Sequence, residues 1–246
     1  MDAPILVDEP PLRPRILVAG LPDMGNVAGI AVEHLVKKLE MKVFAALKGS
    51  WPPFVYHKGG RVFYRRSTFR FYKSERHLQL VVFTGEYQPH EADALYALTE
   101  SVAYFTKRLG VERLITVGAA HRGPSNLDRV FYASTDDETA KDAEDAGAIA
   151  LSDEGYITGF NGLLLGIGKE LNISGLCLLG EIDNPEIPQP RAAGNVLRVL
   201  AKTAGIEPLD VSELEEANER IRAEMRLAEE ALRYRRGLGG VPPGVV

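Results

Sequence analysis

The sequence has a single cysteine, Cys177, in the stretch GLCLLG, which excludes an intrachain disulfide and a thiolate metal cluster. A small buried hydrophobe on a strand is the role its apolar neighbours support. Asparagine and glutamine together number only ten in 246 residues, a scarcity that leans toward a thermophilic source. Excess positive charge is also missing. The 29 Lys and Arg against 34 Asp and Glu leave a net charge of −5, which argues against a broad grip on nucleic acid. With the two signs interspersed, there is no polybasic patch for a membrane either. No apolar run approaches the ~20 residues of a membrane span. With no charged-then-apolar leader in the sequence, the expectation is a cytoplasmic protein.

Catalytic signatures are equally scarce. In ILVAGLPDMGNVAG (16–29) an apolar strand ends at Gly20, and after four intervening residues Gly25 opens a helix. This is the glycine spacing of a phosphate loop, but Asn26 and Val27 stand where the lysine and the magnesium-binding hydroxyl belong. Gly20, Gly25 and Gly29 also miss the dinucleotide-binding spacing. The sequence therefore predicts a tight strand-to-helix turn, with Asp23 as a helix cap and Gly29 as the point of close helix–sheet approach. There is no G-x-S-x-G elbow and no H-E-x-x-H pair. His121, Ser125 and Asp128 lie in GAAHRGPSNLD, whose Gly-Pro-Ser-Asn is turn vocabulary. No metal site and no cofactor are expected.

The residues that are present alternate between buried-strand and amphipathic-helix patterns. Apolar runs at 16–19, 42–48, 78–83, 113–119 and 174–181 read as core strands, and helices are predicted near 25–40, from Pro89 to about 109, at 160–171 and at 191–204. VYHKGGRVFYR is a hairpin signal around Gly59 and Gly60, expected to add antiparallel strands to the same sheet. The pattern predicts an α/β fold, a mostly parallel sheet with helices on both faces. Residues 1–206 read as one domain whose first 14 residues, with four prolines, form an irregular arm. Residues 237–246 read as a flexible Gly/Pro tail.

Between them, 207–236 reads as an appended charged helix, with Ser212 and Glu215 in capping-box spacing. Leu214, Ile221 and Ala228 fall seven apart, as do Asn218, Met225 and Leu232. This narrow stripe suits packing on the chain's own body or on a partner helix, and its residues are candidate partner contacts. Two further groups are candidates for chemistry. FTGEYQPHEAD follows a core strand, where open α/β sheets place ligand sites, and offers Glu86, His90, Glu91 and Asp93. In GFNGLLLGIG, Gly162 and Gly166 share a helical face with Gly159 just before it, which predicts close packing or a ligand near the backbone beside Asn161. A small-molecule enzyme using Glu86, His90 and Asn161 is the alternative reading of the chain.

Taken in order, GLPDMGNVAGIAVEHL, GEYQP, ITGFNGLLLG and CLLGE resemble the proteasome assembly chaperone family, its second-chaperone branch, in archaeal form. The resemblance spans roughly residues 12–205. Its motif loops map onto Gly20, Pro22, Asp23, Gly25, Asn26, Gly85, Glu86, Gly159, Asn161 and Gly162. It implies a nucleoside-phosphorylase-like α/β fold without the catalytic apparatus, a homo-oligomer, and ATP-independent binding to proteasome α subunits. Members that dock on the proteasome carry a C-terminal hydrophobic–tyrosine–any tripeptide. The corresponding residues here are Gly244, Val245 and Val246, and the nearest tyrosine is Tyr234. Val245 and Val246 are nonetheless candidate docking residues.

Overall fold

Strands buried on both faces must pair with one another and be covered by helices, and the chain meets both needs with a nine-stranded mixed sheet. The computed structural model describes residues 4–11, 13–49, 54–122, 128–152 and 154–238, with side chains in the last helix as far as Leu232. The turn at 51–53, Ser125, Val245 and Val246 lie outside the described residues.

Four parallel strands form the centre, in the order β7 (Leu80–Gly85), β2 (Ile16–Ala19), β8 (Arg113–His121) and β11 (Ser174–Ile182). Beyond β7 the sheet continues antiparallel through β6 (Thr68–Lys73) and β3 (Lys42–Lys48) to β1 (Ile5–Leu6). Beyond β11, β9 (Val130–Ser134) joins antiparallel and β10 (Ile149–Ala150) lies at the edge. One face is covered by α1 (Val27–Lys38), α3 (Asp137–Asp145) and α5 (Pro190–Thr203), the other by α2 (Ala92–Arg108) and α4 (Gly159–Glu170). Successive strand residues divide between these layers: Val18, Val82 and Ile115 pack toward α1 and α5, and Leu17, Val81 and Leu114 toward α2 and α4. The α2 side holds an aromatic cluster, with Phe71 4.7 Å from both Phe83 and Phe105, and Phe83 5.4 Å from Phe160. Such ring pairs add about 0.5–1.5 kcal/mol each beyond area burial. A sixth helix, α6 (Ser212–Leu238), lies outside this sandwich against α5.

Several local expectations change. The N-terminal arm contributes a strand, β1, paired to β3. The hairpin forms, as β4 (Tyr56–Lys58) and β5 (Arg61–Phe63), but as a separate two-stranded sheet, because its side chains find no layer to pack on and stay exposed. Leu78 is 56% exposed and precedes β7, since the strand begins only at Leu80. Helix α2 starts at Ala92, so Pro89 lies in the lead-in and not at the first helical position. Gly20, not Gly29, carries the close approach of α1 to the sheet: a Cβ on Gly20 would sit 2.9 Å from Val117 Cγ2. In α4, Gly166 faces open space, and Gly168 is the residue pressed on a strand, 2.3 Å from Leu114 Cδ1 to a Cβ placed there. The capping box of α6 does not close. Ser212 donates its hydroxyl and its backbone N–H to the Asp210 carboxylate, and Glu215 turns to Arg198. No described helix is long and apolar enough to cross a membrane.

Candidate functional site

The carboxyl ends of β2, β7, β8 and β11 meet at one end of the molecule, the place where α/β sheets carry their ligand sites. The glycine loop after β2 lies there, and its backbone answers the question its spacing raises. The Gly25 N–H donates to Pro185 O at 2.8 Å, Asn26 N–H to Asp23 O at 2.9 Å, and Ala28 N–H to Asp23 Oδ1 at 2.9 Å. Donors a phosphate would need are engaged inside the protein. Gly25 is required because its φ is +61° and a Cβ would lie 2.6 Å from Gln189 Cγ. Asn26 shares the left-handed region, at φ 50°, and its side chain folds back over Gly29. Asp23 thus caps the start of α1 from outside the helix. Burial pushes its carboxyl up to about 7, against the opposing pull of backbone N–H groups from Ala28, Ala119 and Val27.

Between this loop and α4 lies a cleft of about 350 Å³, lined among others by Asp23, Gln88, Ala120, His121, Tyr156 and Asn161. Asn161, in the first turn of α4, donates Nδ2 to Val117 O at 2.9 Å, which fixes the amide and leaves Oδ1 buried without a partner. Gln88 accepts the Phe160 N–H at 3.0 Å, and Gly159, at φ +74°, leaves room for the Gln88 amide. Gly162 lies under the Ile157 carbonyl, 1.8 Å from a Cβ placed there, so the loop before α4 closes down on it. Gly85 gives the same clearance to the Phe69 ring.

The enzyme-like trio is not assembled. Asn161 lines the cleft, but Glu86 is turned to Arg65 at 2.5 Å and Arg70 at 3.6 Å, and His90 is exposed. Neither lines the cleft. Cys177 is fully buried, and burial raises its thiol to about 12, so it is inert at neutral pH. A larger groove of about 930 Å³ lies at the opposite end of the strands, around Arg15, Arg113 and Lys202, where ion pairs such as Arg113 with Asp142 fill it with surface charge.

The second candidate region is α6, whose two halves differ. The near half is fastened to the body. Leu214 is buried in the core shared by α1 and α5, so it serves the chain itself and not a partner. His34 Nε2 meets Asp210 O at 2.8 Å, Lys37 pairs with Glu213 at 2.6 Å, and Lys38 bridges Asp210 and Glu213 at 2.9 and 3.1 Å. These ammonium partners hold Asp210 well below the usual carboxylate range and bring Glu213 down to about 2. Nine residues beyond Glu213, Arg222 grips Asp183 at 2.6 and 2.9 Å and reaches Gln189 Oε1 at 3.2 Å. Gln189 in turn donates its backbone N–H to Gly25 O at 2.8 Å, so the glycine loop, the loop after β11 and α6 are laced together. Arg222, Asp183, Gln189 and Gln88 carry this end of the molecule, and no local sequence pattern announces them.

Beyond that clasp the helix parts from the body. Ile221 and Met225 are half-buried, and every residue at 226–232, Ala228 and Leu232 included, is exposed. Because α6 starts beside the last turn of α1 and passes Asp183 just after β11, its far half extends from the strand-end face.

Comparison with known proteins places this architecture. The family model described as the PAC2 family matches residues 17–228, and the chain belongs to that family. The match reaches well into α6, past residue 205. Pyrococcus furiosus PbaB, described as an archaeal proteasome activator, has a crystal structure that is 28% identical, with a TM-score of 0.80 over 92% of this chain and 98% of that one. Pyrococcus furiosus PbaA, described as an archaeal homolog of proteasome-assembly chaperone, is 25% identical, with a TM-score of 0.77 over 97% of each chain. An uncharacterised protein of Methanocaldococcus jannaschii is 31% identical over 211 residues, 85% of this chain and 80% of that protein.

Proposed function

We propose that this PAC2 protein is a non-enzymatic, ATP-independent assembly chaperone that binds proteasome α subunits or rings as a homo-oligomer in the cytoplasm. The observation that carries the reading is the exposed far half of α6, held at the strand-end face by the clasp of Arg222 on Asp183. The body leaves the stripe of Ile221, Met225, Ala228 and Leu232 open or only half covered, and a narrow stripe of this spacing suits a partner helix. What PbaA and PbaB are described as doing supplies the class of that partner.

On this reading residues 1–206 form a nucleoside-phosphorylase-like scaffold. Leu214 anchors α6, while Ile221, Met225, Ala228 and Leu232 meet another chain. The tail 237–246, with Val245 and Val246, contacts the proteasome. The loops around Gly20, Pro22, Asp23, Asn26, Gly85, Gly159 and Gly162 shape the face between them.

The test is co-sedimentation of the full-length protein with purified archaeal α subunits, beside a form lacking 237–246. Co-migration of the first and not the second is the expected result. Failure of both to bind removes the chaperone reading.

A further inference from the structure

The cleft between the glycine loop and α4 is left unused by the reading of α6. It lies where β2 and β8 end side by side and the connections leaving them part. After β2 the chain runs through α1 to β3 on one side of the sheet, and after β8 it runs to β9 on the other. In α/β sheets the crevice at such a switch in direction is where ligands enter. Each of the four central strands supplies part of the lining: Gln88 after β7, Asp23 after β2, Ala120 in β8 and Leu179 in β11. The volume of about 350 Å³ falls in the range of small-molecule sites, ~300–1,000 Å³.

The polar end of the cleft is built from two side chains that meet over a glycine. Asp23 Oδ2 and Asn161 Nδ2 lie 3.2 and 2.5 Å from one point, the position a Cβ would take on Gly118. Any larger residue at 118 would drive the two apart. Asn161 is only 9% exposed, and with Nδ2 given to Val117 O its Oδ1 is left without a donor. Of the buried side-chain oxygens without a partner among the described residues, it is the one whose residue lines this cleft. Buried acceptors are almost always paired, so an unpaired one beside a ligand-sized cleft calls for a donor from outside the chain. The Asp23 carboxyl adds a second acceptor next to it. Gln88 supplies the complement, since its Oε1 is taken by the Phe160 N–H and Nε2 remains to donate. Elsewhere the walls are apolar, with Leu151, Ile157 and Leu179 among them. Arg122 also lines the cleft, its guanidinium 5.2 Å from the centre of the Phe131 ring. One acid and one guanidinium on the same lining leave no net charge to draw either an anion or a cation.

We propose that this cleft binds a small neutral molecule through an amide-type edge, its N–H groups toward Asp23 and Asn161 Oδ1 and its carbonyl toward Gln88 Nε2. The rest of the ligand lies against Leu151, Ile157 and Leu179. Glu86 and His90 stay outside the cleft, so the role is binding and not turnover. The proposal stands apart from the reading of α6 and of the tail, neither of which lines this site.

The test is saturation-transfer NMR on the full-length protein with benzamide as the probe and benzoate as its matched anion. Benzamide is expected to bind saturably with a Kd on the order of 1 mM, in keeping with so small a ligand, and benzoate about tenfold more weakly or not at all. Asn161→Leu, checked for folding by circular dichroism, should weaken benzamide about tenfold. A second variant leaves Asn161 intact. Thr158→Cys changes an exposed residue of the cleft lining, and buried Cys177 is out of reach of N-ethylmaleimide. Before modification this variant should bind benzamide like the native chain, and the maleimide adduct should lose binding with an unchanged dichroism spectrum. Absence of saturable benzamide binding means that Asn161 Oδ1 is met by water alone, and overturns the proposal. Equal binding of benzoate overturns the ligand class. Undiminished binding by folded Asn161→Leu or by the adduct puts the ligand elsewhere and overturns the site.

Discussion

Two neighbouring stretches are written in almost the same residues and meet opposite fates. FRFYK in β6 and VYHKGGRVFYR in the hairpin both alternate aromatic with basic side chains. In β6, Phe69 and Phe71 are fully buried between β3 and β7 and under α2, with Phe71 in ring contact with Phe44, Phe83 and Phe105. In the hairpin, among the described residues, Tyr56 and Phe63 stack only on each other. Strand propensity is the same in the two places, and it is tertiary cover that differs. An aromatic–basic alternation thus reports a strand faithfully and says nothing about what lies on top of it.

The sharpest way to break the comparison is on the covered side. Phe71→Ala removes a ring from a packed cluster and is expected to destabilise the fold by about 3–5 kcal/mol in urea unfolding. A loss below about 1 kcal/mol would mean the cluster repacks.

The next effect in size concerns Asp23, where cover is a cost. Its folded-state value is raised to about 7, so the folded protein holds this proton more tightly than the unfolded chain. The contribution is fully present below the ordinary carboxylate value near 4 and is lost as pH rises through about 7. Asp23→Asn keeps an acceptor for the Ala28 N–H and removes the charge. It should stabilise the protein by on the order of 2 kcal/mol at pH 8 and leave it unchanged at pH 4. Equal effects at both values would show that Asp23 ionises freely in the fold.

The smallest expected effect is on the exposed side. Phe63→Ala in dilute protein should cost under about 0.5 kcal/mol, because a surface ring forfeits only its cross-strand partner. A cost near that of Phe71→Ala would mean the hairpin is already covered at that concentration.

Much of this architecture is legible in the sequence, for identifiable reasons. Strands sealed on both faces write apolar runs such as ILVA and LVVFTG, and helices with one sheet-facing side write the repeat of Val27, Ala31 and Leu35. Gly59 and Gly60 announce the hairpin turn through their positive φ. What the hairpin joins is decided by neighbours far along the chain, and here local pattern misleads. At the strand-end face, Asp23 and Asn161 stand out because they sit among glycines that need unusual backbone. Arg222 and Asp183 do not, since an ion pair between residues 39 apart leaves no periodic trace. The α6 stripe is visible as spacing, yet spacing alone cannot divide it between Leu214, which belongs to the body, and Leu232, which does not.

The position of β2 has a consequence for how the chain is made. It is the first of the four central strands to leave the ribosome, yet its two partners, β7 and β8, are completed only at residues 85 and 121. At ~5–20 residues per second, several seconds of translation separate the strand from its second neighbour. Throughout that interval Leu17, Val18 and Ala19, each with no solvent exposure in the finished protein, must stay out of aggregates. The earliest strand of the centre is thus enclosed late, and the speed of synthesis between residues 20 and 121 bears on yield as directly as any contact in the folded state.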